Sequence, residues 1–258
     1  MNTCIQCGAD APEPFCSNCG QKQSIPRLTI KTFLGDFFSR IYGLDGAFPR
    51  TVIGLAIRPA IAIEEYIKGV RGKYIGPVGY YFLLYGVFVL LFKVYGIEMT
   101  DYFNVDTFNE SLRDVTGEEI TDRQQQAQQE LQRVIYSAIQ FVTLLLFPFW
   151  SIFAKWIFRK SGYLFIENMV FSFYVHAQMI FINMFGLTLF VITGYSFQSV
   201  DTVLGLIYLA ICGSLFYHKK ISFKGIAKSL LTYGLSFLGY MLIFSILGTL
   251  YFFIQGKF

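Results

Sequence analysis

Residues 76–97 read GPVGYYFLLYGVFVLLFKVYGI, an apolar run whose one charged residue, Lys93, lies near its end. About 20 mostly apolar residues are needed for a helix to cross the hydrocarbon core of a bilayer, and this run is long enough. Across the 258 residues, 54% are hydrophobic, 15% are charged and the mean hydropathy is +0.50. Ordinary soluble domains are less apolar and more highly charged, so the composition favours a membrane protein.

Four further runs have the same character, and the run at 202–218 is the shortest of them. The sequence therefore predicts an all-α polytopic membrane protein, with a transmembrane region of five helices over 76–258. Stripes of small residues within the first and last runs predict close helix packing. The four further runs are 134–158, 168–193, 202–218 and 229–254, and the small residues are Gly79 and Gly86 in the first run and Thr232, Ser236 and Gly239 in the last.

Lys and Arg concentrate in three of the segments that flank these runs. Residues 1–75 hold nine of these bases, and others lie at 155–160 and 219–228. The segment 98–133 instead holds nine acids against three Arg. Because cytoplasmic flanks hold the excess of Lys and Arg, the pattern predicts a cytoplasmic N-terminus, an acidic outer loop at 98–133 and an outer C-terminus.

The N-terminal cysteines follow the pattern Cys4-x2-Cys7-x8-Cys16-x2-Cys19, and a glycine follows each pair. Residues 1–25 lack the apolar core of a secretory signal, so we expect this head to stay in the reducing cytosol, where disulfides are disfavoured. Two spaced CxxC pairs are typical of a zinc ribbon, here over 1–24, in which four thiolates hold one structural Zn²⁺. A disulfide-paired or redox head is the alternative.

A basic segment over residues 25–75, which we call the collar, follows the head. Its apolar spacing predicts amphipathic juxtamembrane helices over 28–43, around Arg50–Arg58 and from Pro59 to Gly69. Eight Lys/Arg against four Asp/Glu between residues 27 and 74 suit the anionic inner surface of a membrane. Packing of the apolar faces on the spans or on a partner protein is the alternative.

Two smaller sets of residues are candidate sites. Arg71, Lys73 and Tyr74 are expected at headgroup depth, either as contacts to lipid phosphate or as ordinary interfacial anchors. Ser172, His176 and Asn183 fall on one helical face of the third run, where they would form hydrogen bonds between helices or line a proton or solute path.

Nucleic acid is not an expected partner, because the bases are spread over several helices and the cysteine head is not a basic patch. No P-loop, nucleophile elbow or HExxH motif is present, so no catalytic residues are assigned and we do not expect an enzyme.

The ordered motifs of the first 85 residues also resemble a known family. FCSNCGQK, followed by TVIGLAIRPAIAIEEYIKGVRGKYIGP, is similar to the bacterial membrane proteins grouped as domain of unknown function family 3667. The resemblance implies a cytoplasmic zinc-binding head on a bacterial inner-membrane protein, and it implies no activity. The matching positions are the four cysteines, Thr51, Pro59, Tyr66, Gly69, Arg71, Tyr74 and Pro77.

We therefore expect an adaptor, scaffold or regulatory subunit that contacts the lipid bilayer and, through its head or collar, a protein partner. A small permease or channel-like transporter that uses the polar face of the third run is the alternative.

Overall fold

The chain is described by a computed structural model over residues 3–10, 14–20, 22, 29–30, 46–97, 102, 144, 146–195 and 197–254. Within these residues the fold is all-α, with two isolated β-bridges and no strand. The seven helices defined there are α1 (Ala47–Ile57), α2 (Pro59–Ile67), α3 (Pro77–Tyr95), α4 (Leu146–Ile157), α5 (Phe165–Thr193), α6 (Gln198–His218) and α7 (Phe223–Ile254), with a 3-10 turn at Arg159–Ser161 between α4 and α5.

Four of these helices, α3, α5, α6 and the Phe223–Ile243 part of α7, are long and apolar enough to cross a membrane. The multi-pass helical class is confirmed, and the short run at 202–218 lies within one of these four helices. Residues 134–143 and 145 of the predicted second span lie outside the described residues, and most of its remainder is α4. The number five therefore stays a prediction, as does the acidic loop at 98–133, of which only Tyr102 is described.

Local chemistry sets where these helices begin and end. The backbone N–H of Leu164 donates to a carboxylate oxygen of Glu167 at 2.8 Å, so α5 starts at Phe165, three residues before the predicted span. Gly194, at φ 74°, ends the same helix, because a left-handed residue stops further helical hydrogen bonding. Pro77 occupies the first turn of α3, where its missing N–H costs nothing.

Aromatic rings fill the core between the spans. Tyr81 of α3 meets Phe147 of α4 and Phe173 of α5 edge-to-face, with ring centroids 5.0 and 5.8 Å apart. Trp150 stacks on Phe171 at 5.5 Å and is completely buried. Such ring pairs add to the burial of apolar area, so these contacts stabilise the arrangement of α3, α4 and α5.

The small-residue stripes have different outcomes in the two helices. In α7, Thr232 and Ser236 are fully buried, and a Cβ on Gly239 would lie 2.9 Å from the Phe149 ring of α4, so the predicted close packing is confirmed. In α3, Gly86 is exposed, and a Cβ there would meet no described atom within 4 Å. No described helix packs against Gly86, and residues 134–143 of the predicted second span lie outside the described residues, so close packing at Gly86 stays a prediction.

The collar helix α2 and the basic segments at 155–160 and 219–228 lie at one end of the bundle. The ammonium group of Lys219 contacts the carboxylate of Glu64 in α2 and lies 2.9 Å from the Tyr163 hydroxyl. At the opposite end, Tyr102 donates a hydrogen bond to Asp201 at 3.0 Å. The structure thus joins α2 to the segment at 219–228, and Lys228 of that segment donates to the Ile157 carbonyl, while the side of the membrane that this end faces stays a prediction.

The collar helices α1 and α2 pack against the spans. Thr51, Leu55 and Ile63 are at most 1% exposed, and the hydroxyl of Tyr208 in α6 donates to the Leu55 carbonyl at 2.9 Å. A second face carries the exposed Ile53, Ile57 and Ile61. Protein packing therefore accounts for one face of α1 and α2, and the other is left apolar and uncovered by the described chain. The predicted helix at 28–43 lies almost wholly outside the described residues.

Candidate metal centre and interface sites

The four N-terminal cysteines converge on one point. Their sulfur atoms all lie within 4.8 Å of one another, with 3.6 Å from Cys4 to Cys19 and 3.6 Å from Cys7 to Cys16. Four thiolates about 2.3 Å from a tetrahedral Zn²⁺ would lie about 3.8 Å apart, so the donor set fits such an ion closely. None of the chain's five cysteines forms a disulfide. The structure thus contains a cluster of four cysteines able to hold a metal ion.

The backbone explains why the sulfurs converge. Each CxxCG motif closes as a tight turn, with N–H to C=O bonds from Gly8 to Cys4 at 2.9 Å and from Gly20 to Cys16 at 2.8 Å. Both glycines have positive φ, 75° and 70°, a conformation that other residues rarely adopt. The Gln6 N–H also lies 3.5 Å from the Cys4 sulfur. These turns point the two sulfurs of each motif to the same side.

Peptide N–H groups also favour the charged form of one ligand. A backbone hydrogen bond at Ala9 is the largest influence on Cys7, and the Asn18 side chain acts in the same direction, so the pKa of the Cys7 thiol lies below its ordinary value. Because metal ions bind the thiolate, this shift favours metal binding near neutral pH.

Two of the three predicted headgroup residues share one carboxylate. The Lys73 ammonium and the Tyr74 hydroxyl each donate to the same oxygen of Glu65 at 2.6 Å. Burial disfavours the charged form of Glu65, but these hydrogen bonds and the Lys73 charge outweigh it and hold the pKa of Glu65 below its ordinary value. The carboxylate of Glu65 in turn raises the pKa of Lys73.

This cluster lies inside the collar. Tyr74 is 4% exposed, and the Nε and Nη2 atoms of the third residue, Arg71, are buried. A headgroup contact by these residues stays a prediction. Sequence reasoning missed Glu65, because it precedes its partners by eight and nine residues, and no helical or strand period indicates such a contact.

Thr51 connects the collar to the entry of the first span. Its hydroxyl accepts a hydrogen bond from the Ile75 N–H at 2.9 Å and donates to the Ala47 carbonyl at 2.7 Å. The Tyr174 hydroxyl of α5 donates to the Ile75 carbonyl at 2.6 Å. Tyr66 packs edge-to-face on the ring of Tyr174 at 5.5 Å. Residue 75 is thus held from both sides at the point where the chain turns into α3.

The three polar residues predicted to share one face of the third span have different surroundings. His176 bonds through Nδ1 to the Ser172 carbonyl at 2.8 Å, within its own helix, and its ring contacts Phe147, Trp150 and Tyr233. Asn183, two turns further along, is half-buried. The structure brings Ser172 and His176 together, and it surrounds the His176 ring with aromatic side chains of α4 and α7.

A polar contact that the sequence did not indicate lies at the end of the bundle opposite the collar. The Asp201 carboxylate fills the space beside Gly186, where a Cβ would lie on top of it, and accepts the hydrogen bond from Tyr102. Asp201 is 6% exposed, so its partner matters to the packing of α6. This contact was hard to predict from the sequence, because a single Asp in the first turn of a helix is commonly exposed to solvent.

The fold and the cysteine cluster define a multi-pass helical membrane protein with an N-terminal head that could bind a metal ion. A family model described as "Protein of unknown function (DUF3667)" matches residues 45–89, and the match supports membership of the chain in that family. It covers α1, α2, the turn after them and much of α3, and it does not include the cysteine head. No curated protein and no solved structure matches the chain.

Proposed function

We propose that the chain is an inner-membrane adaptor, scaffold or regulatory subunit whose cytoplasmic head is folded around one structural Zn²⁺. The observation that carries this proposal is the closed set of four sulfurs. Catalytic zinc sites keep one ligand position for water or substrate, whereas four cysteines leave none open. The metal would therefore hold a surface in shape rather than perform a reaction.

The head has little else to hold it together. Its described core consists of Cys4 and Cys16 with Ala9 and Cys19 packed against them. Such a small segment buries too little apolar area to fold alone, so metal binding would supply its folding free energy. Zn²⁺ fits the soft thiolate donors and the tetrahedral separations better than Mg²⁺ or Ca²⁺, which prefer oxygen ligands.

The head also presents an apolar surface that a partner could cover. Ile5, within the first CxxC, is 50% exposed, and Phe15, directly before the second, is 58% exposed. Aromatic and aliphatic side chains of this kind are typical of the centre of a protein interface. A zinc-held pair of turns with one such residue beside each motif supports a role in protein binding.

The experiment is site-specific photocrosslinking in cells. A photoreactive amino acid at position 5 or 15 is expected to capture one recurrent protein, and the crosslink should disappear when Cys4 and Cys16 are both changed to Ser. The matched control places the photoreactive group at Ser17, which is exposed and polar and lies within the second CxxC. A second control is Cys212→Ser, which alters a cysteine buried in α6 and distant in sequence from the cluster.

Loss of the crosslink in the double Cys variant, with retention in Cys212→Ser, would support the adaptor role. Equal crosslinking from positions 5, 15 and 17 would contradict it, because it would indicate random collisions. A head that is metal-free and disulfide-bonded in cells would refute both the zinc site and its compartment.

The permease alternative has less support from the contacts of the third span. His176 bonds to its own helix and is enclosed by aromatic rings, an arrangement that favours helix packing over a solute path. Loss of flux in His176→Ala with the partner crosslink retained would favour the permease instead.

A further inference from the structure

A basic cavity lies at the collar end of the bundle, and its lining includes none of the four cysteines and none of Glu65, Lys73 and Tyr74. It has a volume of about 710 Å³, within the range of small-molecule and headgroup sites. Its walls are the end of α4, the 3-10 turn, the end of α6 and the first turns of α7. The charged and polar lining residues are Arg159, Lys160, Ser161, His218, Lys224 and Lys228.

The charges of this cavity are all of one sign. Two bases come from the 3-10 turn and two from the start of α7, and no Asp or Glu occurs among the residues that line it. Like charges held near one another at a membrane interface repel, and an anion placed between them would remove that cost. Lys228 is anchored by a hydrogen bond of 3.4 Å to the Ile157 carbonyl and lies 5.7 Å from the Phe158 ring centre.

His218 also lines the cavity. The Nε2 atom of His218 is buried and makes no hydrogen bond to any described residue. The His218 ring packs against Phe158 at 5.8 Å, and Phe158 stacks on Tyr217 at 3.9 Å, so the ring is held in position. His218 therefore gives the cavity a fixed aromatic wall beside its bases.

The cavity opens onto an apolar surface that faces outward from the bundle. Trp156 of α4 and Leu231 of α7 line it and are 69% and 54% exposed. Ile152, one turn before Trp156, and Leu238, two turns after Leu231, continue the same helix faces and are also exposed. The charged end of the cavity is therefore joined to a strip suited to acyl chains.

We propose that this cavity binds an anionic diacyl phospholipid, with its phosphate between Arg159, Lys160, Lys224 and Lys228 and its acyl chains along Trp156 and Leu231. Basic pockets between spans at a cytoplasmic interface are suited to phosphate-bearing headgroups. The joined apolar strip favours a lipid over free phosphate, since a soluble anion would make no use of Trp156 or Leu231. The proposal does not depend on the role of the cysteine head.

The two tryptophans of the chain make the test direct. Trp156 lies at the cavity, whereas Trp150 is completely buried in the core and serves as an internal reference. Full-length protein is placed in phosphatidylcholine nanodiscs that contain increasing amounts of tail-brominated phosphatidylglycerol. Tail-brominated phosphatidylcholine at the same mole fractions is the neutral comparison. We expect brominated phosphatidylglycerol to quench the tryptophan fluorescence at much lower mole fractions than brominated phosphatidylcholine does. Trp156→Phe should remove the part of the fluorescence that the lipid quenches.

The variant that tests the charges is Arg159→Gln with Lys224→Gln. Each base should contribute about 5-fold to the preference for phosphatidylglycerol over phosphatidylcholine. Loss of both bases should therefore raise the mole fraction of brominated phosphatidylglycerol needed for half-quenching on the order of 25-fold. The matched control is Lys155→Gln with Lys220→Gln, which removes the same charge from exposed positions at the same end but outside the lining. The control is expected to keep the preference.

Each other outcome would overturn the proposal. Equal quenching by the two lipids would show that the cavity holds no anionic lipid. Equal loss in the two double variants would indicate general attraction of the basic surface. Relief of quenching by millimolar inorganic phosphate, at constant ionic strength, would assign the cavity to a soluble phosphate rather than to a lipid.

Discussion

The contact between α6 and α7 gives a prediction whose size follows from the structure. A Cβ added to Gly213 of α6 would lie 2.2 Å from the hydroxyl oxygen and 2.8 Å from the Cβ of Ser229 in α7. Ordinary contacts of a Cβ begin near 3.4 Å, so the helices would have to separate by roughly 1 Å. Ser229 is not free to turn away at no cost, because its hydroxyl donates to the Gly225 carbonyl at 2.9 Å.

Overpacking of this kind costs about 1 to 3 kcal/mol. We therefore expect Gly213→Ala to lower the free energy of unfolding by about that amount. The matched control is Gly234→Ala on α7, where a Cβ meets no atom within 4 Å. Because alanine is the better helix former by up to about 1 kcal/mol, the control should be neutral or stabilising.

The assay is unfolding of the full chain in mixed micelles by increasing SDS, followed by circular dichroism. A rescue variant, Gly213→Ala with Ser229→Gly, removes both clashing atoms and should recover much of the loss, which gives a coupling energy for the pair. If Gly213→Ala proved as stable as Gly234→Ala, the close approach of α6 and α7 at this point would be refuted.

Three further predictions concern the head and the collar. Elemental analysis of the purified protein should find about one Zn²⁺ per chain. Cys4→Ser should lose most of this zinc, and Cys212→Ser should keep it. Retention of zinc by Cys4→Ser would contradict the four-thiolate site. Glu65→Gln should destabilise the protein by about 1 kcal/mol at pH 7, a value reduced because solvent screens this partly exposed carboxylate. Since the pKa of Glu65 is lowered in the folded protein, the stability that its carboxylate contributes is complete above the ordinary pKa of 4.5 and is lost as pH falls through the lowered pKa. The melting temperatures of the wild-type protein and Glu65→Gln should therefore converge in acid. A difference that stayed constant with pH would count against the contact. Thr51→Val should lower the free energy of unfolding by about 1 to 3 kcal/mol, because it leaves the buried N–H of Ile75 without its acceptor. Thr202→Val, which removes an exposed hydroxyl that bonds to the Gln198 carbonyl of its own helix, should change it little in the same SDS titration. Equal losses would refute the bridging role of Thr51.

The positions of helices were the most predictable part of the molecule. Apolar runs longer than a bilayer core needs have few alternatives to a spanning helix, so even the short run at 202–218 was recognised. Pro59 and Pro77 marked the starts of α2 and α3, because proline fits the first turn of a helix. The cysteine cluster was equally predictable, since the ligand spacing and the glycines that turn the chain both lie within a few residues.

The contacts between elements were not predictable in the same way. Glycine spacing suggested packing at Gly86 as well as Gly239, yet among the described helices one packs against Gly239 and none against Gly86. Spacing within one helix defines a face, but the topology of the bundle decides whether another helix covers it. Glu65, the acid that contacts both Lys73 and Tyr74, was missed for a related reason. The turn after α2 brings Lys73 and Tyr74 back to Glu65, and the sequence does not show how that turn runs.

The sequence by itself determined the membrane class, the start of α2 at Pro59 and the four-cysteine head, because each depends on hydropathy, a proline in the first helical turn or ligand spacing over short stretches. Only the tertiary structure decided that α1 and α2 pack on the spans, and that Arg159 and Lys160 share a cavity with Lys224 and Lys228. These residues are separated by about sixty positions. Their proximity arises because α4 and α6 end beside the start of α7, and no local pattern contains that information.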